Sequence, residues 1–144
     1  YARHLRGTDM GNPPPTDLAI ERRNGNLVRK LIKGRLVTAC HDISDGGLLV
    51  AVAEMCIAGQ RGVTLNIGNK PGELFGEDQS RYLVSTTAES LDRILEQSRA
   101  ANVPARCVGK VDSDTLTLDS ANAISISELT TMHESWLPSY TATE

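Results

Sequence analysis

The stretch that most constrains the fold is residues 36–58, LVTACHDISDGGLLVAVAEMCIA. It begins with an apolar, strand-like run that ends at Cys40 and continues through a polar turn containing Gly46 and Gly47. It closes with a run from Leu48 to Ala58 in which Glu54 is the one charged residue. This order predicts a buried strand, a turn and a buried helix. Because the first amides of a helix are free and favour negative charge, such a unit is typical of a ligand-facing edge.

Size and charge exclude several classes of protein. The chain has 144 residues, enough for one domain with a real core, and carries 15 basic and 18 acidic residues for a net charge of −3. This balance argues against a nucleic-acid or membrane-surface footprint. The longest apolar run is too short to span a bilayer, and no secretory signal is visible. We therefore expect a cytoplasmic protein without a nucleic-acid or membrane partner.

The three cysteines indicate a reducing compartment. Cys40, Cys56 and Cys107 are far apart, form no CxxC pair and lie in apolar runs. We expect buried free thiols rather than disulfides or metal ligands.

The beginning of the chain reads as a linker. The chain starts at Tyr1, and residues 1–15, YARHLRGTDMGNPPP, end in three prolines that favour an extended conformation. We predict a linker over 1–15, a domain over 16–140 and a tail over 141–144. The chain is then an excised C-terminal piece of a longer protein. The alternatives are a cloning boundary or the processing of a small protein.

The first helix is predicted from a cap at Thr16 or Asp17 to Lys33, before Gly34. Its expected apolar stripe consists of Leu18, Ile20, Leu27, Val28, Leu31 and Ile32. Its expected solvated face consists of Arg22, Arg23, Arg29 and Lys30.

Further elements follow the central stretch. We predict strands over 62–67, 82–85, 105–111, 115–118 and 123–126, with a loop over 68–81. The strands at 105–111 and 115–118 should pair as a hairpin. A helix should begin at a capping pair, Thr86 with Glu89, and reach Ala101. A last helix should begin at Ser125, bury Leu129, Met132 and Trp136, and end at Pro138.

The order of elements predicts the fold class. Helices and strands do not alternate regularly, so we expect an α+β domain with a mixed sheet and helices packed against it.

The HDISDGG turn has two interpretations. In the functional one, Asp42 or Asp45 holds Mg²⁺ or hydroxyl groups, and the amides of Gly46 and Gly47 bind a phosphate oxygen. The two acids would repel a bare phosphate, so a metal bridge or a sugar hydroxyl is the natural complement. In the structural one, Asp45 caps the helix, Ser44 bonds the turn backbone and the glycines allow close packing. His41 is read as structural.

The GEDQSR string is the second candidate site. Glu77, Asp78, Gln79 and Arg81 place carboxylates, an amide and a guanidinium at a loop-to-strand junction, which suits a polar small molecule. A solvated loop with an Arg81–acid pair is the alternative. No metal-ligand spacing and no catalytic motif is present, so we assign no metal site and no catalytic residue.

These motifs together resemble a known family. HDISDGGLLVAVAEM followed by LFGEDQSRYLVS is similar to the last domain of phosphoribosylformylglycinamidine synthase subunit II, in the aminoimidazole ribonucleotide synthetase-like superfamily. The resemblance extends to PPPTDLAIERRNGNLVRKLI, to GKVDSDTLTL and to the final Trp136-Leu137-Pro138.

The resemblance implies a fold, an activity and partners. The fold would be the three-layer α/β/α C-terminal domain of aminoimidazole ribonucleotide synthetases. The family enzyme, a purine-biosynthesis ligase, converts formylglycinamide ribonucleotide to its amidine with ATP, Mg²⁺ and glutamine-derived ammonia. Its partners are the remaining domains of the same chain, a glutaminase subunit and a small third subunit. The isolated domain would be inactive, would bind no cofactor of its own and would self-associate through an exposed surface.

The resemblance also implies site residues. Asp42, Ser44, Asp45, Gly46 and Gly47 match the first motif of a substrate- or nucleotide-binding edge. The second motif is matched by Glu77, Asp78 and Gln79. The family's catalytic histidine and most of its ATP and Mg²⁺ ligands belong to other domains.

Two alternatives remain at this point. One is the C-terminal domain of another superfamily member: a selenophosphate synthetase, a thiamine-phosphate kinase or a hydrogenase-maturation protein. The other is a free-standing binding or assembly module.

Overall fold

The computed structural model describes residues 5, 7–8, 14–118 and 122–142. Most of the predicted linker and residues 143–144 of the predicted tail lie outside these residues. The chain divides into two compact units, Tyr1–Ala51 with Lys70–Cys107 and Val52–Asn69 with Val108–Glu144. The predicted division into linker, domain and tail stays a prediction.

The described residues form helices and strands in mixed order. The helices are α1 (Leu18–Lys33), α2 (Gly47–Gly59), α3 (Pro71–Phe75), α4 (Ala88–Ala100) and α5 (Ile126–Thr141). The strands are β1 (Ala39–Asp42), β2 (Gly62–Leu65), β3 (Tyr82–Ser85), β4 (Gly109–Ser113), β5 (Thr115–Leu118) and β6 (Asn122–Ser125). In this part of the chain, no helix has the length and apolar character needed to cross a membrane.

Helix α1 confirms the predicted cap but buries a narrower stripe than predicted. The Asp17 carboxylate accepts hydrogen bonds from the amides of Ala19 at 2.8 Å and Ile20 at 3.1 Å. Leu27 and Leu31 are buried in a cluster with Leu36 and Ile94. The expected burial of Leu18, Ile20 and Ile32 is wrong, since all three are exposed. Because Leu27 and Leu31 are four residues apart, the contact with α4 is a single line along the helix.

The N-cap of helix α4 is one residue later than predicted. Thr87 occupies the N-cap position, whereas the Thr86 hydroxyl donates to the Leu36 carbonyl at 2.6 Å. The Glu89 amide and the Thr87 hydroxyl lower the pKa of the Glu89 carboxyl. Further along the helix, Ser98 is buried and donates its hydroxyl to the Val103 carbonyl. This bond satisfies the one polar side chain that is buried within the described part of the chain.

The first unit contains a two-stranded antiparallel sheet of β1 and β3. The predicted strand at 36–40 is displaced to Ala39–Asp42, and its expected burial is wrong because three of its four residues are exposed. With a single described partner strand, β1 has little to cover it. Cys40 and Cys107 are exposed, so their expected burial is wrong, and Cys56 is buried as expected. None of the three forms a disulfide within the described residues.

The second unit contains a four-stranded sheet in the order β4-β2-β5-β6. Strand β2 is antiparallel to β4 and parallel to β5, so the sheet is mixed and the α+β prediction is confirmed. The predicted hairpin between β4 and β5 is wrong because β2 lies between them. Thr115, the first residue of β5, lies so close to Gly62 that a side chain at position 62 would overlap the Thr115 backbone. Glycine at position 62 therefore permits the close approach of β2 and β5.

Helix α5 begins as predicted but ends differently. The Glu128 amide donates to the Ser125 hydroxyl at 3.1 Å, which confirms the cap. Met132 and Trp136 are exposed by 64% and 67%, so their expected burial is wrong. The helix also continues past Pro138, whose carbonyl accepts from the Ala142 amide at 3.0 Å. A proline removes one amide donor without preventing the last turn from closing on later donors.

Candidate functional site

Antiparallel pairing of β1 with β3 brings the two candidate motifs to the same end of the sheet. Asp42, the last residue of β1, lies opposite Tyr82, the first residue of β3. The Ile43 amide then donates to the Arg81 carbonyl at 2.9 Å. The HDISDGG turn therefore leaves the sheet beside the point where the GEDQSR string enters it. We call residues 42–47 and 77–79 the acidic edge.

A hydrogen bond joins the two halves of the acidic edge. The Gly46 amide donates to Glu77 Oε1 at 2.9 Å, and the Gly47 amide donates to the Ser44 carbonyl at 3.0 Å. Neither glycine amide is thus free for a phosphate oxygen. The carboxylate at the start of α2 is that of Glu77 rather than Asp45, so the expected Asp45 cap is wrong. Glu77 can serve because the sheet brings it there from a distant part of the chain.

Close packing explains the two glycines. Gly46 and Gly47 have φ angles of 80° and 74°, a conformation that side chains disfavour. A Cβ atom at Gly47 would lie 2.6 Å from the carbonyl carbon of Phe75. The start of α2 therefore rests directly on the backbone of α3, as the structural interpretation expected.

Helix α3 lies within the predicted loop at 68–81. Pro71 occupies its first turn, where the missing amide is not needed, and Leu74 is buried. The proline signal was present in the sequence, but the helix has only five residues.

Arg81 stabilises the loop that contains the second motif. Its guanidinium donates to the Gly76 carbonyl at 3.0 Å and to the Glu73 carbonyl at 3.4 Å. The Asp78 carboxylate lies 3.8 Å away, which matches the predicted arginine–acid pair. Arg81 therefore holds the loop in place.

Asn24 adds a contact that sequence reasoning missed. Its side-chain amide reaches from α1 to donate to the Ser80 carbonyl at 3.0 Å, and Ser80 itself has a φ of 66°. No signal in the sequence links residues so far apart.

The acidic edge faces solvent. Asp42 and Asp45 on the turn are exposed, as are Glu77, Asp78 and Gln79 on the loop. Ser44 is exposed as well, while Gly46 is half-buried and Gly47 is buried. Within the described residues, no group of three or more His, Cys, Asp or Glu side chains could hold a metal ion. What the edge offers is a set of oxygen acceptors, which suits hydroxyl groups.

Cys40 precedes the acidic edge on β1. Although the residue as a whole is exposed, partial burial of its thiol raises the pKa of that group, and the nearby negative charge of Asp42 raises this pKa further. Its thiolate therefore forms at a higher pH than that of an ordinary cysteine.

Known proteins share both the sequence and the fold. The model of the family described as AIR synthase related protein, C-terminal domain, matches residues 3–119. Phosphoribosylformylglycinamidine synthase subunit PurL of Rhodospirillum rubrum is 47% identical over 144 residues, which is 99% of this chain and 20% of the relative. The subunit PurL of Methylocella silvestris is 48% identical over 145 residues, with the same two coverages of 99% and 20%.

Solved structures of Thermotoga maritima proteins have a similar fold. PurL complexed with FGAR has a TM-score of 0.72 and 20% identity over 88% of this chain and 24% of that one. PurL complexed with ATP has a TM-score of 0.65 and 21% identity over 76% of this chain and 21% of that one. PurLQS has a TM-score of 0.69 and 20% identity over 90% of this chain and 24% of that one.

The relatives are much longer than this chain, which spans about a fifth of their length. What the match shows is therefore the identity of one domain. The family model covers most of the chain, including both halves of the acidic edge. The chain belongs to the family of AIR synthase related proteins, as an example of their C-terminal domain.

Proposed function

We propose that the chain is the C-terminal domain of a phosphoribosylformylglycinamidine synthase subunit. In this proposal the complete protein is an ATP-dependent ligase of purine biosynthesis, which converts formylglycinamide ribonucleotide and glutamine-derived ammonia to the amidine. The observation that supports it is the 47% identity to the Rhodospirillum rubrum subunit along 99% of this chain. The same identity favours the synthase over the other enzymes of the superfamily and over a free-standing module.

A domain exchange tests this proposal. The corresponding last fifth of the Rhodospirillum rubrum subunit would be replaced by this chain, and formation of the amidine would be assayed in the presence of ammonia. We expect the chimera to be active, and we expect this chain alone and the truncated subunit alone to be inactive. A folded chimera without activity would contradict the proposal.

The acidic edge has a narrower role in this proposal. Its glycine amides are occupied, and among the described residues its carboxylates form no metal site. It therefore does not fit ATP phosphates or Mg²⁺ by itself, and those groups would be bound by the rest of the polypeptide. Its exposed oxygens fit the hydroxyl groups of a ribose, so we assign the edge to the ribonucleotide substrate.

The chimera also tests this assignment. We expect Asp45→Ala to raise the KM for formylglycinamide ribonucleotide severalfold while the KM for ATP stays unchanged. Asp92→Ala, which removes an exposed carboxylate on α4, is the matched control and should change neither constant. Equal effects on both substrates, or no effect of Asp45→Ala, would remove the edge from the substrate site and leave the domain assignment intact.

The partners in this proposal are the other domains and two further subunits. The relatives' greater length supports the first, and the Thermotoga maritima PurLQS structure supports the second. The surface that would meet the other domains is the exposed apolar side of α5, which includes Met132, Trp136, Leu137 and Tyr140.

A further inference from the structure

A groove of about 740 Å³ lies between α1 and α4 in the first unit. Its volume falls in the range of about 300–1,000 Å³ that is usual for small-molecule sites. We call it the α1–α4 groove, and none of its lining residues belongs to the acidic edge.

The charge of the groove is its first distinctive property. Arg22, Arg23 and Lys30 line it, and none of the described acidic residues does, although the whole chain has a net charge of −3. Among the described residues, none of these three cations has an ion-pair or hydrogen-bond partner. Arg81 and Arg106 of the same unit, by contrast, each lie within 4 Å of a carboxylate. The groove therefore has positive charge that the described chain does not compensate.

Arg23 has a buried donor without an acceptor. Its Nε atom is buried and makes no hydrogen bond to any described residue. An arginine nitrogen can only donate, and a buried donor without an acceptor is unfavourable. Arg23 also lines the groove and is half-buried, so its guanidinium is anchored at the groove wall.

Asn26 adds another donor of fixed orientation. Its side-chain oxygen accepts from the Arg29 guanidinium. Because arginine cannot accept a hydrogen bond, this contact fixes which end of the Asn26 amide is oxygen and leaves its NH₂ group available. Asn26 lines the groove together with the three cations.

The donors follow the helix at a regular spacing. Arg22, Asn26 and Lys30 are four residues apart in succession, so they form one row of about 12 Å along α1. Leu27, which is 7% exposed, lies behind the row, and Leu18, which is 74% exposed, lies at the N-terminal end of α1. The groove thus combines a row of donors with apolar surface.

We propose that the α1–α4 groove binds a phosphorylated small molecule of the nucleoside diphosphate class. Guanidinium groups match phosphate oxygens with paired hydrogen bonds, and a row of this length spans more than one phosphate. The apolar surface suits a ring that is attached to them. This proposal does not depend on the proposed function, since it rests on α1 and α4 alone.

Calorimetric titration of the 144-residue chain with ADP, pyrophosphate and adenosine tests the proposal. We expect ADP to bind more tightly than pyrophosphate, adenosine to bind weakly, and binding to weaken as salt is added. Arg22→Gln and Arg23→Gln should each weaken ADP binding by about tenfold or more, because each removes a charge-assisted hydrogen bond. Arg23→Lys keeps the charge but removes the paired donors of the guanidinium, so it should weaken binding as well.

Two controls isolate the groove. Lys33→Gln makes the same charge change on α1 at a position that does not line the groove, and it should leave ADP binding unchanged. Lys110→Gln makes this charge change on β4, also at a position that does not line the groove, and should likewise have no effect. Circular dichroism would establish that each variant is folded.

Several results would overturn the proposal. They are the absence of ADP and pyrophosphate binding at millimolar concentration, ADP binding that survives both Arg22→Gln and Arg23→Gln, and equal loss in Lys33→Gln. Binding of a polyglutamate peptide without binding of ADP would also overturn it and would identify the groove as a site for an acidic protein segment.

Discussion

At the scale of single residues, the acidic edge depends on the backbone at Gly47. Its positive φ and its closeness to Phe75 leave no room for a side chain. Gly59 at the other end of α2 has nothing within 4 Å of the position of a Cβ atom. The same helix therefore contains one glycine that is required and one that is replaceable.

This contrast gives a prediction for stability. Gly47→Ala should lower the free energy of unfolding by about 2–4 kcal/mol, because it adds backbone strain and a steric overlap. Gly59→Ala should change it by less than about 1 kcal/mol, with a gain expected from the stiffer unfolded chain. Urea denaturation followed by circular dichroism would measure both. Equal losses would contradict the packing described for α2.

A second prediction concerns the pH dependence of Cys40. Alkylation requires the thiolate, and the negative charge of Asp42 raises the pKa of the thiol. Asp42→Asn should therefore move the alkylation profile of Cys40 to lower pH, with faster reaction at every pH below the pKa. Because burial is the larger cause of the raised pKa, the profile should remain above that of a free cysteine. Peptide mass spectrometry after iodoacetamide pulses would follow Cys40 separately, and Asp112→Asn should have no effect.

At the scale of elements, α1 has a narrow line of contact with the rest of the first unit. Leu31 is 3% exposed within the cluster that also contains Ile94, whereas the next residue, Ile32, is 48% exposed. A broad apolar stripe predicted from periodicity is reduced to one row of side chains.

Leu31 and Ile32 are therefore suited to a matched pair of substitutions. Leu31→Ala should lower the free energy of unfolding by about 2–5 kcal/mol through lost burial and a residual cavity. Ile32→Ala should cost less than about 1 kcal/mol, since the side chain is half exposed. Thermal and urea denaturation of both variants would measure the difference, and similar costs would show that the wider stripe is buried in solution.

Local features of this fold were predictable from the sequence, and distant contacts were not. The caps at Asp17 and Ser125 act on amides two or three residues away, so their spacing alone revealed them. The bond from the Gly46 amide to Glu77 joins residues from two motifs, and only the pairing of β1 with β3 makes it possible. The insertion of β2 between β4 and β5 likewise depends on a distant segment. The two motifs of the candidate site could thus be recognised in the sequence, but the hydrogen bonds made by its amides could not be predicted from it.

At the scale of the whole molecule, the last helix, α5, has an exposed apolar side. Trp136 and Tyr140 stack with their ring centroids 5.4 Å apart, and both are exposed. In the proposed full-length protein this surface meets other domains. In the isolated chain it would be free to meet a second copy.

We predict concentration-dependent self-association through α5. Trp136 is the one tryptophan of the chain, so its emission should shift to shorter wavelength as the chain associates. Met132→Lys should weaken the association and the spectral shift by placing a charge in the apolar surface. Glu134→Gln makes the same change in net charge on the side of the helix away from Met132 and Trp136, and it should have little effect. Sedimentation velocity that finds one species at all concentrations would contradict this prediction.

The strand order of the second unit has a consequence for folding during synthesis. Val63 of β2 pairs with Val111 on one side and with Leu116 on the other, so both neighbours of this strand are made long after it. A ribosome-bound chain must therefore keep an apolar strand with two unpaired sides until β4 and β5 have been translated. Contacts of such sequence separation slow folding. They also make β2 the segment at which a nascent chain is most open to aggregation or to binding by a chaperone.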